Sequence, residues 1–311
     1  MPMYYEIHSI ADYLECLKTL SKDGVDGYQN ENTRLYFRGE PADYGVTAGQ
    51  PGIARGKWLE GNNESDLFRE CERRLSHEFV NCKSTFEKLV LMQHYFIPTR
   101  LLDVSLDPLI GLFFALYNDP KSKRKDENGD SVILVYEIPR DSIRNHHSDV
   151  VSVISNIAVY RYDNDDLALK NMHYSNDEWG RRGFNEEESI KHLVHEIRAE
   201  KPHFSHWIKK DNMESVYCVH PLLDNPRIRS QQGAFLLFGM NGDKHHIASL
   251  ESNKGPEIRM TKIHIPQSAK TQLREELNLL GRTIDNVYPD WDGVSDFFAR
   301  FYNKNPEDYY K

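Results

Sequence analysis

The stretch from Leu91 to Leu116 reads LMQHYFIPTRLLDVSLDPLIGLFFAL, and it compresses a helix end, a forced turn and a second helix start into one run. The first helix opens just upstream, where Ser84 and Glu87 stand at capping-box spacing, and it ends at Gln93 and His94. Pro98 then forces a turn. Pro108 suits the first turn of the next helix, with Asp107 or Ser105 just before it. Ile110, Leu112, Phe113, Phe114 and Leu116 are apolar nearly all round, which predicts a helix at the centre of the fold.

Working outward, TRLYFRGE (33–40) alternates like a half-buried strand, with Tyr36 and Arg38 on one face and Leu35 and Phe37 on the other. SVILVYEIP (131–139), QGAFLLFGM (232–240) and EIRMTKIHIP (257–266) also read as strands. SIADYLECLKTL (9–20) opens with Ser9 as N-cap and Asp12 in the first turn, and stripes Ile10, Tyr13, Leu14 and Leu17 along one side. ESDLFRECERRLSHEFV (64–80) predicts an amphipathic helix with Leu67, Phe68, Cys71, Leu75 and Phe79 inward. Two helices are expected to close the chain, SAKTQLREELNLLG with Gly281 as a stop signal and VSDFFARFYNK. Strands and helices mix without regular alternation, so the fold class is α+β. The reading divides the chain into an N-terminal helical segment (1–30), a core (31–265) carrying an irregular insertion at about 140–221, and C-terminal helices (266–311). Within the insertion, helical stretches are expected around Glu186–Glu200.

At 311 residues, with 39% hydrophobic and 28% charged residues, the chain has ample material for a buried core. No run approaches the ~20 apolar residues of a membrane helix. The opening MPMYYEIHSI has no basic region followed by an apolar stretch, so export is not expected. Four scattered cysteines without CxxC pairs fit a reducing cytoplasm and argue against zinc held by cysteine. A net charge of -9 does not advertise nucleic-acid binding, although a local basic groove is compatible with it.

Three segments combine polar groups with tight backbone geometry. Arg38 sits at a strand end followed by Gly39, where a rigid cationic fork suits phosphate or carboxylate and glycine lets a ligand approach the main chain. The competing reading is an arginine paired with an internal carboxylate. In the second segment, Arg100, Asp103 and Ser105 precede a helix N-terminus, a ready place for anion capture. The alternatives there are an Arg100–Asp103 ion pair bracing the turn and a hydrogen-bonded, helix-ending His94. The third is NPRIRSQQGAFLLF, where a Gln231–Gln232 amide at a strand start can fix a sugar hydroxyl but cannot act as a base. The basic run Lys121–Lys125 reads as a solvated loop tip or a nucleic-acid contact. His192 with His195, and His203 with His206, have spacing that can hold a metal but lack the HExxH arrangement, and no metal is expected.

Together these segments resemble the FRG-domain family, named for its (F/Y)RG tripeptide. Phe37-Arg38-Gly39 is that tripeptide, LMQHYFIPTRLLDVS resembles the family's LxQHYGxPTRLLDWT-like run, and RIRSQQGAFLLFG resembles a third signature, an arginine ahead of QxGxF. The resemblance spans roughly Arg34 to Leu237 with a divergent middle and continues weakly through VYPDWDGVSDFF. Phe96 replaces the usual glycine, and Val104 the frequent tryptophan.

The order of these segments is in turn similar to that of ADP-ribosyltransferases, which place an arginine at the end of a first strand, a Ser-containing strand before an AxxFA-like helix, and a (Q/E)xE motif at a late strand start. Arg38, Ser105 and Gln231–Gln232 occupy comparable stations. That resemblance implies a mixed sheet of the ADP-ribosyltransferase type and a cytoplasmic, NAD-consuming transferase of toxin or phage-defence kind. Arg38, Gly39, Arg100 and Ser105 would then hold NAD, Tyr36 or Tyr95 would stack on a base, and His94 or Asp103 would take the acceptor's proton. Gln232 would touch the ribose. The acceptor would be RNA, DNA or protein, with Arg227 and Arg229 on nucleic-acid phosphates, and a neutralising antitoxin protein would be the natural partner. The motif's glutamate is missing, because Gln232 is followed by Gly233. That departure keeps open a non-catalytic nucleotide-sensing module. A metal-dependent nuclease, which would need the histidine pairs, is a third reading.

Overall fold

The computed structural model describes residues 4–21, 32–117, 129–162, 167–175, 177–255, 257–290 and 294–295. In chain order the elements are β1 (Tyr5–Glu6), α1 (Ile10–Ser21), β2 (Thr33–Glu40), α2 (Asn63–Arg74), α3 (Thr85–His94), β3 (Leu101–Ser105), α4 (Pro108–Leu116), β4 (Ser131–Pro139), β5 (Ile143–Asn145), α5 (Asp149–Ile157), α6 (Glu178–Glu186), α7 (Glu188–Glu200), α8 (Lys210–Met213), β6 (Val216–His220), α9 (Pro226–Ser230), β7 (Gly233–Phe238), β8 (Met240–Asn241), β9 (Asp243–Ile247), β10 (Arg259–Ile265), α10 (Lys270–Leu279) and α11 (Ile284–Val287). Eight strands form one mixed sheet in the order β1-β10-β4-β2-β3-β7-β6-β5, and β8 pairs with β9 apart from it. The outer pairs β1–β10 and β5–β6 are parallel, and the rest are antiparallel. This is an α+β fold, as the irregular mixture of elements predicts.

The sheet's two faces are built differently. Paired residues share a face, so Phe37, Ser105 and Leu101 lie together on one side, and Tyr36, Leu134 and Tyr136 on the other. On the first side, α1, α4 and α10 bury Tyr13, Phe113 and Leu273 against β2, β4 and β10. The rest of that side carries a larger cluster built on β3, β6 and β7, with Phe86 and Leu89 of α3, Ile154 of α5 and Leu193 and Ile197 of α7. The opposite side is covered by Ala48, Leu106, Ile247, Ala248, Leu250 and Ile258 from loops and from β9.

α4 approaches β2 unusually closely. A Cβ on Gly39 would stand 2.1 Å from both the Gly111 carbonyl oxygen and the Ala115 nitrogen, and one on Gly111 would stand 2.6 Å from the Phe37 Cβ. The two glycines let helix backbone rest directly on strand backbone. The helix starts as its sequence dictates, with Pro108 in the first turn and Asp107 Oδ1 accepting the Leu109 N–H at 2.8 Å.

Other local expectations meet mixed outcomes. Ser84 caps α3 by accepting the Glu87 N–H at 3.3 Å. The α3 C-terminus is a Schellman motif, in which the Ile97 N–H reaches the Met92 carbonyl and the Phe96 N–H reaches Gln93. Its left-handed position is Phe96, at φ +60°. α2 stops at Arg74, so Leu75 is 38% exposed, while Phe79 still reaches the core from the turns beyond it. Leu14, expected inward, is 47% exposed, because α1 meets α10 and the sheet along Ile10 and Tyr13. The 140–221 segment is regular: α5 to α8 supply much of the larger cluster, and β5 and β6 extend the main sheet. Gly281 ends α10 at φ +72°. The expected helix over VSDFFARFYNK lies almost wholly outside the described residues, and Lys121–Lys125 lie outside them. Among the described residues, no helix is long and apolar enough to cross a membrane.

Two substitutions test this architecture by urea unfolding. Gly39→Ala forces a methyl group into the α4 backbone and is expected to cost about 3 kcal/mol or more; a loss below 1 kcal/mol would mean that α4 does not sit where described. Phe96→Gly removes the left-handed penalty from an exposed side chain and is expected to stabilise by roughly 0.5–1 kcal/mol, whereas a destabilised variant would refute the Schellman assignment.

Candidate ligand site

Three distant sequence segments meet on one cross-strand row. Phe37 on β2 pairs with Ser105 on β3, and Ser105 pairs with Gly233 on β7. The strand spacing makes β2 and β7 roughly 10 Å apart. Ser105 Oγ donates to the Gln231 carbonyl at 2.6 Å, and the Leu106 N–H donates to the Gln232 carbonyl at 3.1 Å. These bonds staple the start of β7 to the end of β3. Gln232 is exposed and held at φ +45°, a conformation that costs a non-glycine residue about 1–2 kcal/mol.

β2 and β3 share a single paired position, Phe37 with Ser105, so their ladder parts beside it. Arg38 fills the parting. Its Nη1 donates to the Asp103 carbonyl at 3.0 Å and its Nε to Glu40 Oε1 at 3.1 Å. Nη2 makes no hydrogen bond among the described residues, and the side chain stays 21% exposed. Burial works against the charge, but Glu40, Asp103 and Tyr136 more than offset it, so the pKa is raised. Glu40 itself is sealed, and it also takes the Gly49 N–H at 3.1 Å and lies 3.8 Å from Nη2 of Arg55. The internal-carboxylate reading of Arg38 is therefore correct for Nε, while Nη1 is spent on main chain and Nη2 stays uncommitted among the described residues.

On the helical side of the row, Asp103 is exposed and its Oδ2 accepts from the Gln93 amide at 2.7 Å. Gln93 in turn accepts from Thr99 Oγ1 at 2.8 Å, and Thr99 accepts the Leu101 N–H at 3.1 Å. The QHYFIPT turn thus aligns β3 through side chains. His94, at the end of α3, sets its ring edge-on to Tyr95 at 5.1 Å, and Tyr95 is 52% exposed.

Several residues expected to touch a ligand are engaged elsewhere. Tyr36 is fully buried and its hydroxyl meets His220 Nε2 at 2.7 Å, so it cannot stack on a base. Gly39 admits a helix, not a ligand. Arg100 is fully buried and bidentate to Glu64, with further bonds to the Gly239 and Lys244 carbonyls at 3.1 and 2.9 Å. The expected Arg100–Asp103 brace does not form. Ser105 spends its hydroxyl on main chain. Arg227 is buried over the Tyr288 ring at 4.2 Å, with Asp290 4.0 Å away, which removes it from a nucleic-acid face. Arg229 is exposed but turns Nε and Nη2 to the Leu223 carbonyl. His192 stacks flat on Tyr162 at 4.0 Å. Among the described residues, no three His, Cys, Asp or Glu side chains gather as a metal site.

The sequence reading missed Gln93, Arg55 and Tyr136. Tyr136 carried a signal, since it alternates with buried aliphatics on β4 and its polar tip needs a reason to be inside.

Against known proteins, the family model that matches is the FRG domain, over residues 33–124, a segment that ends before β7 and the third signature. No curated protein and no solved structure matches the chain. The matched segment contains Arg38, the QHYFIPTRLLD turn and α4, and the chain thereby carries an FRG domain over that segment.

Proposed function

We propose that the protein is an NAD-dependent ADP-ribosyltransferase-like effector, modifying RNA, DNA or protein, with its substrate at the parting of β2 and β3. The observation that carries this reading is the Phe37–Ser105–Gly233 row, which brings the Arg38 strand, the Ser-strand leading into α4 and the late glutamine side by side, the neighbourhood that the sequence resemblance to ADP-ribosyltransferases implies. Nη2 of Arg38 meets the diphosphate of NAD in a charge-assisted contact. The C1′–nicotinamide bond breaks with its electron pair leaving on nicotinamide, and positive charge develops on the ribose as in glycoside hydrolysis. Fixed dipoles stabilise that charge, and the Gln232 amide holds a ribose hydroxyl. Asp103, oriented by Gln93 on the helical side of the same parting, takes the proton of an acceptor that enters from that side, opposite the diphosphate on Arg38, as its new bond to C1′ forms. His94 lies on the same helix as Gln93 and is the alternative proton acceptor. The cytoplasmic toxin or phage-defence setting, and a neutralising partner, follow from the resemblance alone.

One observation favours a second reading, a nucleotide sensor without turnover. The position after Gln232 is Gly233, which leaves the (Q/E)xE station without its carboxylate. Labelled NAD incubated with separate RNA, DNA and protein pools distinguishes the two: transfer to one pool supports the transferase, whereas binding without transfer or nicotinamide release supports the sensor.

Arg38→Ala is expected to lower activity at least 100-fold, about 2.7 kcal/mol or more, with an unchanged circular dichroism spectrum; activity within fivefold of wild type would remove Arg38 from the site. Gln232→Ala is expected to lower kcat/KM by about 1–3 kcal/mol, and an unchanged value would exclude it.

A further inference from the structure

Glu40 is an interior carboxylate with one crowded oxygen and one empty one. Oε1 takes Gly49 N–H and Arg38 Nε, each at 3.1 Å, with Arg55 Nη2 at 3.8 Å, whereas buried Oε2 has no hydrogen-bond partner. The Tyr136 hydroxyl, on the same sheet face and fully buried, has none either. Each unmet group costs about 1–3 kcal/mol, so the pair asks for an explanation. Both lie against Gly49: its N–H reaches Glu40, and a Cβ on it would come 2.6 Å from the Tyr136 hydroxyl. The two guanidinium groups flank this spot, and the Arg38 and Arg55 side chains are 21% and 25% exposed. Arg55 is steadied by the Gln50 carbonyl at 3.0 Å and by the Tyr44 ring.

We propose that Arg38, Arg55, Glu40 and Tyr136 form one receptor for a nucleoside diphosphate. The arginines clamp the diphosphate, Tyr136 donates to a phosphate oxygen, and a ribose hydroxyl donates to Glu40 Oε2. This rests on the NAD reading and names its recognition chemistry. A bare anion would satisfy the arginines and leave Glu40 unmet, and a neutral sugar would do the reverse. A phosphorylated sugar carries both groups. Because both unmet atoms are sealed, the segment 41–55, which carries Gly49 and Arg55, lifts to admit the ligand. Its glycines Gly45 and Gly49 already sit at φ +58° and +69°.

The test is calorimetric titration of the full chain with ADP-ribose and with pyrophosphate, using wild type, Arg38→Ala, Arg55→Gln and Tyr136→Phe, alongside thermal unfolding without ligand. ADP-ribose affinity is expected to fall about tenfold or more in Arg55→Gln and about fivefold or more in Tyr136→Phe. Ligand-free Tyr136→Phe is expected to melt no lower than wild type, since it loses only an unmet hydroxyl. A purely structural tyrosine would show a lower melting point or an unchanged affinity, and either outcome overturns its place in the receptor. Wild type is expected to bind ADP-ribose at least about tenfold more tightly than pyrophosphate; equal affinity overturns the role of Glu40. If Arg38→Ala abolishes binding while Arg55→Gln stays within twofold of wild type, the receptor falls and the NAD reading stands. If wild type binds no ADP-ribose, both fall.

Discussion

The contact on which the site depends is backbone against backbone. With hydrogen atoms in place of side chains at Gly39 and Gly111, α4 settles onto β2 closely enough that a single methyl group would collide with main chain. This contact fixes which face of β2 is helical, and therefore sends Arg38 and Glu40, with Tyr36, to the opposite face. There the cover consists of loops and β9. A charged pair placed under a helical layer would be desolvated with little chance of exposure, whereas loops leave about a fifth of Arg38 in contact with water.

The same geometry explains why the sheet parts where it does. β2 pairs with β4 along its whole length but with β3 at one residue only. The backbone groups that a full β2–β3 ladder would have used must be met otherwise, and Arg38 meets one of them by donating to the Asp103 carbonyl. On the far side of β3 the ladder with β7 is complete over five positions, and Ser105 and Leu106 bind the residues just before β7. One edge of β3 is therefore open and the other locked, an asymmetry that a ligand can exploit without unfolding the sheet.

Much of this was legible in the residues. Pro108 with Asp107, Ser84 with Glu87, and the alternation of 33–40 are local signals, and local chemistry decides helix starts and strand faces. The failures are tertiary. Leu14 and Leu75 obey the helical period, yet the period cannot say where a helix stops or which partner it meets. Gly39 looked like room for a ligand because glycine means close approach, and sequence does not name the approaching body. The 140–221 segment looked irregular because its helices are short and interrupted, although they pack into a continuous core. Phe96 carries its explanation in the opposite direction: a departure from glycine in an otherwise matching run turns out to sit at a positive φ.

Arg38 and Arg100 show how donor accounting separates an arginine with a free donor from one that is fully spent on structure. Arg100 precedes a strand and Arg38, expected at a strand end, lies two residues inside one; both lie near acidic residues, and spacing alone assigns either to an anion. Arg100 has every guanidinium nitrogen engaged, Nε and Nη2 by Glu64, Nη1 by the Gly239 carbonyl and Nη2 a second time by the Lys244 carbonyl, with no surface left exposed. Adding an anion there would break bonds already made in a medium where each is strong. Arg38 has one nitrogen unbound, and its carboxylate partner is shared with Arg55 and retains an empty oxygen. An anion arriving at Arg38 Nη2 leaves the two bonds of that guanidinium in place, and in the proposed receptor a hydroxyl arriving with it meets an acceptor the protein leaves unmet. The difference lies in which carboxylate reaches the guanidinium and how completely, and it is the ground for assigning the proposed ligand to Arg38 and not to Arg100.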